Sequence, residues 1–539
     1  MLRSVTTSAR LVALAVSLLM VAVVPSNSTP AAGSEQSLSL SLSNGGAWVT
    51  LPAPRQATPP TSVDQALITG LDGVVALSPP QTCLRVDISR ATVFRHQAEL
   101  PLIPASTQKI FVGQVALDRL GHEHRFHTSL VGPTPVDGVV HGDLTLVGGG
   151  DPLLSTAAYA FTRRTADQPL TFLDGLADAL VSAGVRSVTG KLLADDSRFD
   201  ALRTVPSWPE RYVSQGQVGP LGALMVDDGF RLELPVPGGS GETIRRRVDD
   251  PAVHAAEQLN SLLVTRGVSV AGGVARGTAG VGVGELAGID SAPLGEVVRQ
   301  MLEESDNTTA EILTKEIGTR AGTGGSTESG TRAIMTRLGE LTQASPGTSM
   351  ADGSGLDRGN RSTCDDLVNS LSGTGGPDGA IGSRLPVAGR SGTLRDRFLG
   401  TAAQGRLRAK TGTLNAVTAL AGFVTLPDGR TATFAYIANG EQAEDPRRGQ
   451  DFLGVLLGQY EETCVDEEVL PVVAPVNAYL ISAGMTSAAT AALAWEPIVT
   501  ASLAAFEAQP ESAVSACTAR AEGFELVLLS SVVPASRPR

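Results

Sequence analysis

Ser106-Thr107-Gln108-Lys109-Ile110-Phe111-Val112-Gly113-Gln114-Val115-Ala116-Leu117-Asp118-Arg119-Leu120-Gly121 is the stretch on which the fold turns. Its apolar positions Ile110, Phe111, Val115, Ala116 and Leu120 follow helical spacing, and Gly121 closes the run, so the spacing predicts a helix opened by Ser106. Ser106 and Lys109, three residues apart, then share one face of it. A serine hydroxyl is a poor nucleophile until a base takes its proton, and a lysine amine can be that base only when burial or a nearby cation weakens its hold on its own proton. Lysine is scarce here: Lys109, Lys191, Lys315 and Lys410 are the only four among 42 basic residues. In such a chain a retained lysine points to a job arginine cannot do, namely losing a proton.

Two further motifs follow in order. Ser305-Asp306-Asn307 falls between helical patterns at 294–304 and 308–318, and Lys410-Thr411-Gly412-Thr413 precedes a hairpin. That hairpin is read from apolar runs at 420–426 and 431–438 around Pro427-Asp428-Gly429-Arg430. Short strand-like runs at 83–86 and 91–94 precede the serine. Each motif alone is weak, but three in this order, two of them holding scarce lysines, form a coherent set in its expected structural context. Lys410 is the candidate cation near Lys109, and Ser106 at a helix N-terminus brings its backbone N–H to where an oxyanion would develop. None of the six histidines lies near a nucleophile-like motif.

From 122 to 287 the texture changes to short Gly- and Val-rich runs (139–147, 190–194, 230–235) between aspartate or glycine turns, which predicts a β-rich insert. Helices at both ends with a terminal hairpin predict an α+β core, an antiparallel sheet flanked by helices and interrupted by that insert.

The motif set resembles the penicillin-recognising serine acyltransferases, with their β-lactamase/transpeptidase-like core. Within them it resembles the D-alanyl-D-alanine carboxypeptidase/endopeptidase family of the penicillin-binding protein 4 type, peptidase family S13. The finer likeness is carried by Pro101-Leu102-Ile103-Pro104-Ala105, Gly148-Gly149-Gly150-Asp151-Pro152, Asp352-Gly353-Ser354-Gly355-Leu356-Asp357-Arg358, Leu385-Pro386-Val387-Ala388-Gly389, Ser391-Gly392-Thr393-Leu394 and Arg408-Ala409-Lys410-Thr411-Gly412-Thr413-Leu414. It spans about residues 65–460, and a large insert between the first two motifs is itself a trait of the family. The resemblance implies Ser106 as acylated nucleophile and Lys109 as its base, with Ser305 and Asn307 on the opposite wall. It implies that Lys410, Thr411, Gly412 and Thr413 hold the terminal carboxylate of a peptide or a β-lactam. The backbone N–H groups of Ser106 and Thr413 would form the oxyanion hole. It further implies that Arg358 sits by a subsite for the diaminopimelate side chain, with Glu210 as the acidic candidate for that side chain's amine. No cofactor or metal is implied. The partners are peptidoglycan stem peptides and β-lactam inhibitors.

Composition excludes other classes. A net charge of −13 without a basic stripe disfavours nucleic acid, and 4% aromatics leaves little for base stacking. Arg3 and Arg10 followed by an apolar run at 11–24 and small residues to Ala32 read as a signal peptide, 1–32, too short for a comfortable bilayer span. The protein is therefore expected to be exported to the envelope or beyond. Residues 33–62 read as a flexible linker and 466–539 as an Ala-rich extension. The catalytic domain is expected at 63–128 and 288–465, with the insert at 129–287. Cys83, Cys364, Cys464 and Cys517 suit an oxidising compartment, and their pairing stays open. His122, His124 and His127 have only the spacing of a metal cluster, and the Gly-rich 272–284 stretch lacks the Gly-Lys-Ser/Thr of a phosphate loop. The rival readings are a β-lactamase or esterase on the same core and a non-catalytic wall-binding protein. The balance of carboxypeptidase and endopeptidase action, and the oligomeric state, are not legible in the sequence.

Overall fold

The structure is a computed structural model. It describes residues 62–461 apart from 163–167, 234–242, 343–344 and 441–446, and two short strands nearer the N-terminus. The expected signal peptide and Ala-rich extension lie outside the described residues. Within the stretch read as a linker, Leu38–Leu40 pairs antiparallel with Val49–Leu51, a ladder consistent with the alternating Leu-Ser-Leu pattern. The residues from Pro60 onward form a unit of their own.

The core of that unit is a five-stranded antiparallel sheet in the order Leu407–Leu414, Val417–Thr425, Thr431–Asn439, Gln81–Ile88, Ala91–His96. Alternation along the strands decides its two faces. Leu84, Leu420, Phe434 and Tyr436 join a core under the helices Ser62–Ala76 and Arg448–Gln459. Cys83, Ala419, Ala421, Ala435 and Ile437 face the other way, against the helices Lys109–Leu120, Leu294–Glu303, Asn307–Arg320 and Cys364–Gly373. Being covered on both sides, the central strands are apolar almost throughout, as buried sheets require. The expected hairpin is present at 426–430, and the two strands ahead of it and the two around it are in the expected places. Cys83 in the sheet is disulfide-bonded to Cys364 at the start of a covering helix.

The insert enters and leaves through paired neck strands, His127–Gly132 and Gly284–Asp290. They belong to a second sheet in the order Val274–Arg276, Leu192–Asp195, Leu144–Val147, His127–Gly132, Gly284–Asp290, whose first three strands are parallel. Parallel pairing needs crossovers, and two helices, Leu173–Ser182 and Pro251–Thr265, pack beside this sheet. The insert is thus mixed in character, with helices beside the expected strands. Its other apolar cluster, Phe199, Val205, Trp208, Tyr212 and Met225, closes over Ile312 and Leu356 of the core. Arg198 adds a bidentate ion pair (2.8 and 2.6 Å) to the fully buried Glu316.

Candidate active site

Ser106 lies in a 3-10 turn, Ala105–Gln108, which runs into the Lys109–Leu120 helix, capped by Gly121 at φ 89°. In a 3-10 turn residues i and i+3 eclipse, so the lysine stacks directly over the serine. Lys109 Nζ lies 2.9 Å from Ser106 Oγ, 2.7 Å from Asn307 Oδ1 and 2.6 Å from the Ser354 carbonyl. Two of these neighbours are acceptors only. A neutral amine can therefore donate to both and turn its lone pair to the serine hydroxyl, which is the arrangement a general base requires.

Burial, the largest influence, lowers the Lys109 pKa to about 8, against the opposing pull of Asp352, Asp306 and Glu311. Lys410 is not the cation that does this. It is itself held well below its usual range, first by its own burial and then by Lys109. Lys410 Nζ donates to Ser305 Oγ (2.8 Å) and to the Thr411 carbonyl (2.9 Å). A ligand carboxylate placed beside it would raise it again.

Ser305 reaches Lys410 through an uncommon backbone. The Leu294–Glu303 helix ends with Ser305 at φ 58°, and the Asp306 N–H returns to the Met301 carbonyl (3.1 Å). That 6→1 bond is a Schellman ending with serine where glycine is usual. Asp306 then caps the next helix through the Thr309 N–H (3.0 Å), which makes Asn307 its first residue. Ala105, beside Ser106, is also left-handed at φ 47°. Such strain gathers at functional sites.

The Lys410 strand is an edge strand pressed against the nucleophile turn. A Cβ at Gly412 would come within 2.8 Å of the Pro104 carbonyl and 3.1 Å of the Ser106 nitrogen, so glycine permits the approach. The Ala409 N–H points off this edge to the Pro386 carbonyl (3.1 Å). Backbone direction alternates along a strand, so the Thr413 N–H faces the same side. Thr411 Oγ1 donates to Thr393 Oγ1 (2.9 Å).

These elements enclose a cleft of about 480 Å³ lined by Ser106, Ser305, Asn307, Thr393, Thr411 and Thr413 from the core and by Arg211, Tyr212 and Gln217 from the insert, among others. Asn307 Nδ2 donates to the Gln217 carbonyl (2.8 Å), and Trp208 Nε1 to buried Asp352 (2.8 Å), so the insert forms one wall. Glu210 is not among the lining residues. It opens the short helix Glu210–Ser214, and the turn of that helix presents Arg211 and Tyr212 instead. Arg358 is exposed and also outside the lining; its Nη1 donates to the carbonyl of Asn415, a lining residue (2.9 Å). Asp357 accepts from Ser207 and Gly359. Sequence reasoning passed over Thr393, Arg211 and Gln217. The Ser-Gly-Thr-Leu stretch carried a signal for the first, and nothing local marked the other two.

The histidines take separate partners. His124 packs edge-on to Phe126, and His127 bonds Asp290 (2.6 Å) and Glu285 (3.2 Å). Burial holds the His124 pKa down, whereas the Asp290 bond raises that of His127.

The sequence model of the D-Ala-D-Ala carboxypeptidase 3 (S13) family matches residues 85–236 and 233–460. The chain belongs to this family. Among relatives of this S13 serine peptidase, the D-alanyl-D-alanine carboxypeptidase of Actinomadura sp. (strain R39) is 32% identical, over 67% of this chain and 77% of that one. Carboxypeptidase DacB of Mycolicibacterium smegmatis is 34% identical, over 65% and 74%. The fold is shared with penicillin-binding protein 4 of Haemophilus influenzae, with a TM-score of 0.60 at 20% identity over 71% of this chain and 97% of that one. As an S13 member the chain is a peptidoglycan DD-peptidase of the D-Ala-D-Ala carboxypeptidase class.

Proposed function

We propose that the protein is exported and hydrolyses the D-Ala-D-Ala ends of stem peptides, D-Ala-diaminopimelate cross-links, or both, through an acyl-enzyme on Ser106. Lys109 takes the hydroxyl proton as Ser106 Oγ attacks the penultimate D-Ala carbonyl. The oxyanion rests on the Ser106 and Thr413 N–H groups. Ser305, bonded to Lys410, gives its proton to the departing amine as the C–N bond breaks to leave the ester. The proton that Lys109 took is passed back to Ser305, so that Lys109 is again a neutral amine. Lys109 then deprotonates a water, which attacks the ester, and Ser106 regains its proton. Lys410, Thr411 and Thr413, around Gly412, hold the terminal carboxylate, and Asn307 holds the substrate amide. Arg358 and Glu210 would act at the diaminopimelate end, Arg358 through its hold on Asn415.

The observation that carries this reading is the three-way setting of Lys109 between Ser106 Oγ, Asn307 Oδ1 and the Ser354 carbonyl. The buried Cys83–Cys364 disulfide supports export, since such bonds persist in oxidising compartments. A β-lactam complex of Haemophilus influenzae penicillin-binding protein 4, at a TM-score of 0.57, supports β-lactam inhibition here. A fast β-lactamase would want a carboxylate to activate water, whereas the one charged side chain among the described lining residues is Arg211.

The deciding experiment is labelling with a fluorescent penicillin alongside digestion of muropeptides. Stable labelling lost in Ser106→Ala, with release of D-Ala or of cross-linked partners, is the expected result. Rapid turnover of the label would indicate a β-lactamase, and absence of labelling a binding protein.

A further inference from the structure

Glu311 has no part in the chemistry above, yet it is fully buried one helical turn beyond Asn307. Its Oε1 accepts the backbone N–H groups of Gly353 (2.9 Å) and Ser354 (2.7 Å). Its Oε2 is buried with no hydrogen-bond partner among the described residues. The next amide, Gly355 N–H, donates to Asp352 Oδ1 (2.8 Å), and the other end of that peptide unit is the Ser354 carbonyl, 2.6 Å from Lys109 Nζ. Three successive amides are thus caught by two buried carboxyls, and the carbonyl they aim is the one that holds the catalytic amine. The loop has no slack. Gly355 sits at φ 85°, and a Cβ there would lie 2.0 Å from the Ala105 carbonyl oxygen, in the nucleophile turn.

The two carboxyls differ in support. Asp352 collects Trp208 Nε1, Asn360 Nδ2 and the Gly355 and Asp357 amides, so it is the better anion of the pair although burial raises it too. Glu311 has amides on one oxygen only. Burial and the neighbouring Asp352 charge push it up to about 8, against the pull of the Ser354 and Gly353 donors.

We propose that Glu311 is a positioning residue for the general base, aiming the Ser354 carbonyl at Lys109 through the Gly353 and Ser354 amides and biasing which of the two groups carries the proton. The proposal rests on the acyl-enzyme reading given above. The ionisable groups acting on Lys109 are Asp306 and Glu311 on the Asn307 helix and its cap and Asp352 on the loop, while Lys410 on the edge strand is itself lowered by burial and by Lys109. Glu311 is pushed up to about 8, where burial also holds Lys109. When ionised it favours the ammonium form, so removing its charge frees the amine at lower pH.

The test is the second-order acylation rate with a fluorescent penicillin between about pH 6 and 10, for the full chain, Glu311→Gln and Glu311→Ala. Glutamine keeps an acceptor for the two amides. Its plateau rate is expected within about threefold of wild type, with the acid limb displaced about half a pH unit or more toward acid. Alanine loses the acceptor, and its plateau should fall at least about tenfold below that of glutamine. An unmoved limb in Glu311→Gln, a loss equal at every pH, or an alanine plateau matching glutamine would each overturn the proposal. If Glu311→Ala does not fold, the glutamine profile decides alone. A wild-type protein that is never labelled brings down the acyl-enzyme reading and this proposal together, whereas a labelled wild type with an unmoved glutamine limb brings down this one only.

Discussion

Asn307 joins the insert to Lys109: its Nδ2 donates to the Gln217 carbonyl at 2.8 Å while its Oδ1 accepts from Lys109 Nζ at 2.7 Å. Asn307→Asp keeps the size but places a carboxylate on the lysine and removes the donor to Gln217. A negative charge favours the ammonium form, so the rise of acylation with pH should move to higher pH. Below pH 7 the rate should fall by up to about tenfold for each pKa unit gained. A pH series of penicillin labelling checks this, and an unshifted rise would mean that Asn307 does not set the state of Lys109.

In the unaltered protein the amine must be free for acylation. Since burial lowers the Lys109 pKa to about 8, labelling should climb through that pH and level off above it. Lys109→Arg keeps a cation that cannot release its proton, so the rate should drop about 100-fold or more at every pH. Stopped-flow labelling reads both, and a flat profile from pH 6 to 9 would count against Lys109 as base.

The motifs were legible because their chemistry tolerates few residue types: a chain that avoids lysine leaves Lys109 and Lys410 conspicuous. The core was legible from the hairpin for its sheet and from Ile110 to Gly121 for the helix that covers it. What escaped was long-range. Gln217 reaches Asn307 across 90 residues and Trp208 reaches Asp352 across 144, and no local pattern announces either. Glu311 escaped because a glutamate on a helix ordinarily faces water. The insert helices did leave a signal. Asp250-Pro251 is an N-cap followed by proline at the first helical position, and Leu173, Leu176, Ala177 and Leu180 keep helical spacing. The short apolar runs around them drew the reading toward strands.

Ser305 holds a conformation that glycine adopts without strain, a choice that left-handed backbone makes costly by roughly 1–2 kcal/mol. Ser305→Gly should leave the melting temperature unchanged or higher while kcat/KM for a D-Ala-D-Ala peptide falls about 100-fold, through loss of the hydroxyl bonded to Lys410. Calorimetry and peptide assays on the same preparation check both halves. Full activity would remove the serine from the proton path.

Arg358→Ala removes the brace on Asn415 at the cleft wall. Turnover of diaminopimelate-bearing peptides should lose about 10- to 100-fold in kcat/KM, the worth of one charged hydrogen-bonded contact. Labelling by a simple penicillin without that side chain should barely change. Equal losses with both would assign the arginine to loop structure alone.

The pairing of Gln81–Ile88 with Thr431–Asn439 has a consequence in time. The core sheet has its fourth strand near the start of the described unit and the partner of that strand near its end. Until residue 439 has emerged from the ribosome, the strand at 81–88 has nothing on one side and the catalytic half has no closed core. The insert is under no such constraint, for its neck strands and parallel ladder close within residues 127–290. Synthesis therefore delivers a chain whose middle can settle early while its catalytic half stays open to the last, since non-local pairing is slow to form.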